Sequence, residues 1–412
     1  MENELQARTE AGRELVTMAE RFADEFSARA AQYDRLGEFP HDHLQALKLA
    51  GFLYAPAPVH CGGMGVESVH DLMVATSRLA RGDASLTLGV NMHLLTFVSF
   101  ARQWRMAKNR GDEARVGLLE ATMSSLVREG AVIAAAISEP DQDLIRPQTE
   151  AILTDAGWVI NGLKIFCSMA PAATHFSTAV RYTDDAGMER YAYAVIPRDT
   201  PGLTVNDDWD ALGMRASGSV SVSFENAALP GRGPGKGVPA GVISAEHLEQ
   251  ILPSGPAHTS ASLGVAEAGH RLAVEAVCRK RQRQPEKEVR GFVQERAAKN
   301  SIDLAAARAV FSRALSMIDE YYESHPTERG TLSEIGPVFA EVQRAKTFVN
   351  EAAVRILDRS LAMSGGAAYM NGNPLSRLYR DARAGAFMHP LGANVAMEYL
   401  GAATLGLRPV NF

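Results

Sequence analysis

The hydrophobic period changes twice along the chain, and that change narrows the possible folds more than any other feature. In the first stretch, apolar residues recur every three or four positions, and Leu15, Met18, Phe22, Phe26 and Ala30 fall on one helical face. Pro40 opens a second helical segment, His41 to Leu49, which Gly51 ends. Ser68 is placed to cap a third helix reaching about Arg81, and a long apolar helix starts near Ala84. Near Ala131 the pattern becomes that of strands. The run from Ala131 to Ile137 has strand length, Thr149 to Ile160 reads as a hairpin turning at Asp155-Ala156-Gly157, and Tyr191 to Ile196 reads as a further strand. Between Ser217 and Phe224 the residues alternate: Val220, Val222 and Phe224 point one way, and Ser219, Ser221 and Ser223 the other. A sheet domain with one buried face is expected there. Beyond the glycine-rich stretch ending at Gly237, helical spacing returns over about 240–282, 288–323, 331–363 and 374–406. The expected division is 1–130 helical, 131–237 β and 238–412 helical.

Charge and composition exclude several classes of function. A net charge of −6 with no basic tail argues against nucleic acid as the main partner, because phosphate neutralisation needs clustered Lys and Arg. The one basic cluster, Arg279, Lys280, Arg281 and Arg283, reads as a solvated helix end. The polar amino terminus lacks the pattern of a secretory signal, and no apolar run approaches the ~18–20 residues of a membrane span. Cys61, Cys167 and Cys278 have neither metal-type spacing nor an even framework. A cytoplasmic protein without a membrane partner or metal site is expected.

Several segments, in order, carry a resemblance. Ile137-Ser138-Glu139-Pro140 leads through a strand pair to Gly157-Trp158-Val159-Ile160-Asn161-Gly162-Leu163-Lys164-Ile165-Phe166-Cys167-Ser168. Leu212-Gly213-Met214-Arg215-Ala216-Ser217 precedes Phe224-Glu225-Asn226 and Pro230. Gly365-Gly366 precedes Leu378-Tyr379-Arg380-Asp381-Ala382-Arg383, and Phe39-Pro40 precedes Leu49-Ala50-Gly51. This ordered set resembles the acyl-CoA dehydrogenase superfamily over nearly the whole chain. The resemblance implies an α+β, mostly α fold, with an N-terminal helical domain, a middle β-barrel or sheet domain and a C-terminal four-helix bundle. It also implies a flavin, FAD or FMN, and a homotetramer or homodimer. Ile137, Ser138, Phe166 and Ser168 would meet the flavin, with Phe166 as its flat wall and Ser168 as a hydroxyl partner. Gly365 and Gly366 would approach a neighbour's flavin.

The departures from the family bear on the reaction. A dehydrogenase needs a carboxylate within reach of the substrate α-proton. At the two places where the family puts that Glu, this chain has His389 and Ser254, and Gly255 stands where an Arg would follow. Leu144 replaces a Ser that often contacts acyl-CoA in the family. The superfamily has a branch of flavin monooxygenases that lack this carboxylate, including dibenzothiophene monooxygenase and amino-sugar N-oxygenases. Phe166-Cys167-Ser168 resembles that branch. A two-component monooxygenase is therefore expected, in which a separate reductase supplies reduced flavin and O2 reacts to a C4a-hydroperoxyflavin that oxygenates a small organic substrate. His titrates near neutrality, at about 6.5 when unperturbed, so it suits proton handling beside that chemistry. His389 and His93 are the candidate catalytic residues, with His258 a third. The plainer reading makes His93 a core histidine and His389 a helix-end one. The alternatives are an atypical acyl-CoA dehydrogenase using His389 as base, and a flavin-binding protein without turnover.

Overall fold

The computed structural model describes residues 4–407 apart from 142, 143, 230 and 232, so Pro230 and part of the turn after Glu139 lie outside the described residues. Five helices come first: α1 (Glu10–Leu36), α2 (His41–Leu49), α3 (Val69–Ala80), α4 (Ala84–Arg110) and α5 (Glu113–Arg128). Each start has a local cause. Thr9, Ser68, Asp83 and Asp112 each accept a hydrogen bond from a first-turn backbone N–H, satisfying a donor the helix cannot use itself. Leu15, Phe22, Phe26 and Ala30 of α1 are buried, as their spacing requires.

The α4 helix corrects one expectation. By length and composition it could cross a membrane, but 72% of its most apolar window is buried inside the protein. It is the central helix of the core rather than a lipid-facing one.

Eight strands follow: β1 (Ile133–Ala136), β2 (Glu150–Thr154), β3 (Gly157–Cys167), β4 (His175–Thr183), β5 (Glu189–Pro197), β6 (Leu203–Val205), β7 (Val220–Ala228) and β8 (Val238–Pro239). They form one mixed sheet in the order β6-β7-β3-β2-β4-β5-β8, with β1 pairing parallel to β4. The β2–β3 hairpin turns where Asp155-Ala156-Gly157 places it. Val220, Val222 and Phe224 point into the sheet's core as expected. The opposite face is not simply solvated, however. Ser219 and Ser221 are also buried: Asp208 accepts from the Ser221 N–H and hydroxyl while Asn206 donates to Ser221 and Ser223, and Ser219 meets the hydroxyls of Ser168 and Ser217. Alternation alone cannot show that a loop returns to cover the polar face.

The C-terminal helices are α6 (Ala245–Ile251), α7 (Ser254–Arg283), α8 (Gly291–Ser324), α9 (Leu332–Ser364), α10 (Pro374–Arg383) and α11 (Ala393–Thr404). Two expected segments are split. Pro253 separates α6 from α7, and residues 384–392 interrupt the last segment. Helices α7 to α10 form the bundle, with α9 packed against α7, α8 and α10. The bundle's core is continuous with that of α1–α5, since α3 also packs on α7. The basic cluster at 279–283 lies in the exposed last turn of α7.

Candidate active site

Where the end of β3 meets α4, α7 and α10, a cavity of about 380 Å³ opens. Its shape is set by a break in the ladder between β3 and β7, whose register shifts between Lys164 and Cys167. A bulge of this kind re-aims side chains. Phe166 takes a left-handed backbone conformation, φ 57°, which costs a non-glycine residue on the order of 1 kcal/mol or more. The result is an aromatic ring left 58% exposed at the cavity, edge-on to Trp209 at 6.1 Å. Ser168 follows, buried, and its hydroxyl meets Ser219 at 2.8 Å, which in turn meets Ser217 at 2.6 Å.

Ile137 and Ser138 line the same cavity. Two links hold their turn in place. The Ile165 N–H donates to the Ser138 carbonyl at 2.9 Å, and the Lys164 ammonium donates to Glu139 at 2.7 Å. Glu139 also accepts from the backbone N–H groups of Gln148 and Thr149. Burial alone would raise the Glu139 pKa, but the Lys164 charge and these hydrogen bonds outweigh it and hold the carboxyl below its ordinary range. The Glu139–Lys164 pair was not legible in advance. Both residues belong to ordered motifs, but only the fold shows that the lysine has no exposed surface.

The far wall joins two segments that are remote in sequence. Met214 donates its backbone N–H to buried Asp381 at 2.7 Å, and Arg377 pairs with the same carboxylate. A Cβ at position 213 would lie 2.2 Å from the Arg380 carbonyl, so only glycine lets the 212–214 loop lie against α10. The segments around Gly213 and Asp381 are therefore one contact.

A second cavity, about 570 Å³, adjoins the first. Met92, Ala135, Ile137 and His389 line both. His389 thus stands in the shared wall. Burial pushes its pKa well down, and the neighbouring His258, Lys346 and His247 push it further, so it is neutral at working pH. His258 also lines the first cavity. Its Nδ1 lies 2.8 Å from the Ser254 carbonyl and donates to it in the neutral ring, and burial followed by the Lys346 charge lowers its pKa to about 4.

The structure does not bring His93 to either cavity. It has no exposed surface, packs against Tyr54 and Phe97, and its Nδ1 accepts from the Ile133 N–H at 3.0 Å. Its neighbour Met92 faces the cavities instead, because one residue along a helix turns the side chain by about 100°. His93 ties α4 to β1. Gly365 and Gly366 lie exposed at the end of α9 and line neither cavity.

The first cavity fits a flat aromatic ring. Phe166, Leu212 and Phe387 line it with 58%, 67% and 72% of their surface exposed, an unusual amount of apolar surface for one place. Hydroxyls at Ser168 and Ser219 and guanidinium groups at Arg380 and Arg383 supply polar partners. The second cavity is different in charge. It carries Arg110, Arg115, Lys236 and Arg329 against one carboxylate, Glu246, which Arg329 pairs at 2.9 Å. On a chain of net charge −6 this concentration suits an anionic ligand.

The chain matches the acyl-CoA dehydrogenase N-terminal domain over residues 9–103, the middle domain over 134–227 and the C-terminal domain over 257–390. It is 34% identical to the amino sugar nitrososynthase RubN8 of Streptomyces rubradiris, covering 98% of this chain and 92% of that one. It is 32% identical to the L-evernosamine nitrososynthase of a Micromonospora species, covering 97% and 91%. A crystal structure of KijD3 in complex with FMN and dTDP-3-amino-2,3,6-trideoxy-4-keto-3-methyl-D-glucose superposes with a TM-score of 0.87. It shares 33% identity and covers 98% of this chain and 96% of that one.

Proposed function

We propose, from the premise that this chain belongs to the acyl-CoA dehydrogenase family, that it oxygenates the amine of a sugar carried on a nucleoside diphosphate. It is a flavin-dependent oxidoreductase of the family's monooxygenase branch. Phe166, Ser168, Ser219 and the Ile137–Ser138 turn would hold the flavin in the first cavity, with FMN preferred to FAD, and a separate reductase would deliver it reduced. When bound, reduced flavin supplies the electrons that activate O2 for transfer of one oxygen atom.

The observation that carries the reading is the shared wall. None of the four residues lining both cavities is a carboxylate. Among the described residues, the carboxylates that line either cavity lie elsewhere: Asp210 is exposed and paired with Arg215, and Glu246 is paired with Arg329. Position 389, where a dehydrogenase would remove an α-proton, holds a neutral imidazole. A neutral imidazole holds the free amine by a hydrogen bond and takes the proton that the nitrogen sheds once its lone pair has bonded to oxygen. The substrate's diphosphate would meet Arg110, Arg115 and Lys236 in the second cavity.

The chain would act as a homotetramer or homodimer. Exposed Gly365, Gly366, Tyr369 and Met370 would then face a neighbouring subunit and its flavin. Domain boundaries are drawn at 130/131 and 237/238. The purified protein, given reduced FMN in air and a panel of dTDP-amino sugars, is expected to consume O2 in proportion to the sugar it converts. Bleaching of bound oxidised flavin by an acyl-CoA without oxygen would overturn the reading in favour of dehydrogenation.

A further inference from the structure

Behind His389, helix α9 carries polar side chains on a face that is otherwise core. Gln343, Lys346 and Asn350 are all buried, and their spacing of three and four puts them on one stripe. Two of them grip the segment that carries His389. The Lys346 ammonium donates to the carbonyls of Met388 at 2.7 Å and Leu391 at 2.6 Å, which bracket His389-Pro390. Asn350 donates to the Gly385 carbonyl at 2.8 Å, four residues before His389. Gln343 stands at the other end of the stripe. Both its amide atoms lack a partner among the described groups, as does the His389 Nδ1. A Cβ on Gly255 would lie 2.8 Å from Val342, so the glycine lets α7 pack closely on this part of α9.

A lysine that is only 3% exposed is a costly way to hold two carbonyls. Four residues later on the same stripe, Asn350 holds a carbonyl of the same segment without a charge. The charge itself therefore calls for a role, and the group beside it is the imidazole in the shared wall.

We propose that Lys346 is a positioning residue for His389: its two hydrogen bonds fix the 388–391 segment, and its charge keeps the imidazole in its proton-accepting form. This rests on the reading that His389 handles a proton in the oxygenation. The titratable groups that act on His389 are His247 from α6, His258 from α7 and Lys346 from α9; the other charged groups lining the two cavities are Asp210, Arg380 and Arg383 in the first and Arg110, Arg115, Lys236, Glu246 and Arg329 in the second. Of the three that act directly on His389, His247 and His258 are themselves held neutral by burial, each near pKa 4. Burial lowers Lys346 to about 8, so of the three it is the one mostly charged at neutral pH.

The test compares Lys346→Met, Lys346→Arg, His389→Ala and the Lys346→Met/His389→Ala double variant, each as flavin-loaded enzyme. Lys346→Met is expected to lose about 100-fold in kcat, the size of effect that a small misplacement causes, with little change in KM. The acid limb of its pH–rate profile moves to higher pH, because the imidazole protonates more readily once the charge is gone. Lys346→Arg retains donors and charge and keeps the wild-type acid limb. The double variant is no slower than His389→Ala alone. If Lys346→Met does not fold, Lys346→Gln carries the same comparison, keeping an amide donor group and losing the charge. An unmoved acid limb, or losses that multiply in the double variant, would overturn the inference and leave Lys346 with a purely structural part. Full turnover in His389→Ala would instead sink the functional reading beneath it, so the two failures can be told apart.

Discussion

Helix α4 and the 384–391 segment line the same pair of cavities, and each carries a histidine, but the two histidines are held in opposite ways. On α4 the helical phase turns His93 inward, and its Nδ1 accepts from the backbone of β1. On the 388–391 segment no helix fixes the phase. The side chains of α9 hold the backbone instead, and His389 is left in the wall between the cavities. Both rings are neutral because burial disfavours their charged forms. A lowered pKa therefore does not separate a structural histidine from a functional one. Access to a cavity does.

The largest effect expected from this contrast is on turnover. His389→Ala should lower coupled oxygenation by about 10²–10⁴-fold, the usual range for a proton-handling residue, while leaving the fold intact. His93→Ala should leave turnover per folded molecule within about threefold, since its side chain touches neither cavity. Stopped assays on both variants, normalised to folded protein by circular dichroism, make the comparison. A loss in His93→Ala matching that in His389→Ala would break it.

The next effect is on stability, and here the order reverses. His93→Ala leaves the Ile133 N–H buried without its acceptor, at a cost of about 1–3 kcal/mol. The pH dependence has a definite sign. The His93 pKa is lowered to about 3, chiefly by burial, so as pH falls through about 6.5 the unfolded chain takes up a proton that the folded one refuses. Stability that is present above that value is lost on acidification, by about 1.4 kcal/mol per pH unit for this one group. Urea unfolding at pH 7 and pH 5 should therefore show a shallower acid loss in His93→Gln than in the wild type.

How far the sequence revealed these features depended on the kind of constraint. Segments whose side chains repeat with a period, such as α1 and the β2–β3 hairpin, were legible because burial of one face leaves a pattern. Phe166, Ser168, Ile137, Ser138 and His389 all line the first cavity, and each stands in or beside an ordered motif rather than on a period. His93 was misplaced by one residue, because on a helix as uniformly buried as α4 the pattern does not give the phase. The clamp from Lys346 and Asn350 was missed, though polar residues at a spacing of four in an apolar helix were its visible signal. The Asp381–Met214 contact joins residues 167 apart, and no local rule reaches that far.

Two smaller effects would sharpen the contrast between the cavities themselves. Ser168→Ala removes one hydroxyl partner in the first cavity and should weaken FMN binding by about 5–10-fold, near 1 kcal/mol, by fluorescence titration. Arg115→Gln acts in the second. It should raise the KM for a nucleotide sugar a few-fold at low salt, less at high salt, and leave FMN affinity unchanged, because Arg115 is exposed and its charge is screened. Effects crossing over between the two cavities would show that they act as a single site.

The most direct measurement uses labelled dioxygen. With heavy-isotope O2, reduced FMN and a dTDP-amino sugar, the product nitrogen is expected to carry the label, and His389→Ala is expected to release unproductive hydrogen peroxide instead. A product without label, or oxidation of an acyl-CoA that proceeds equally well without oxygen, would contradict it.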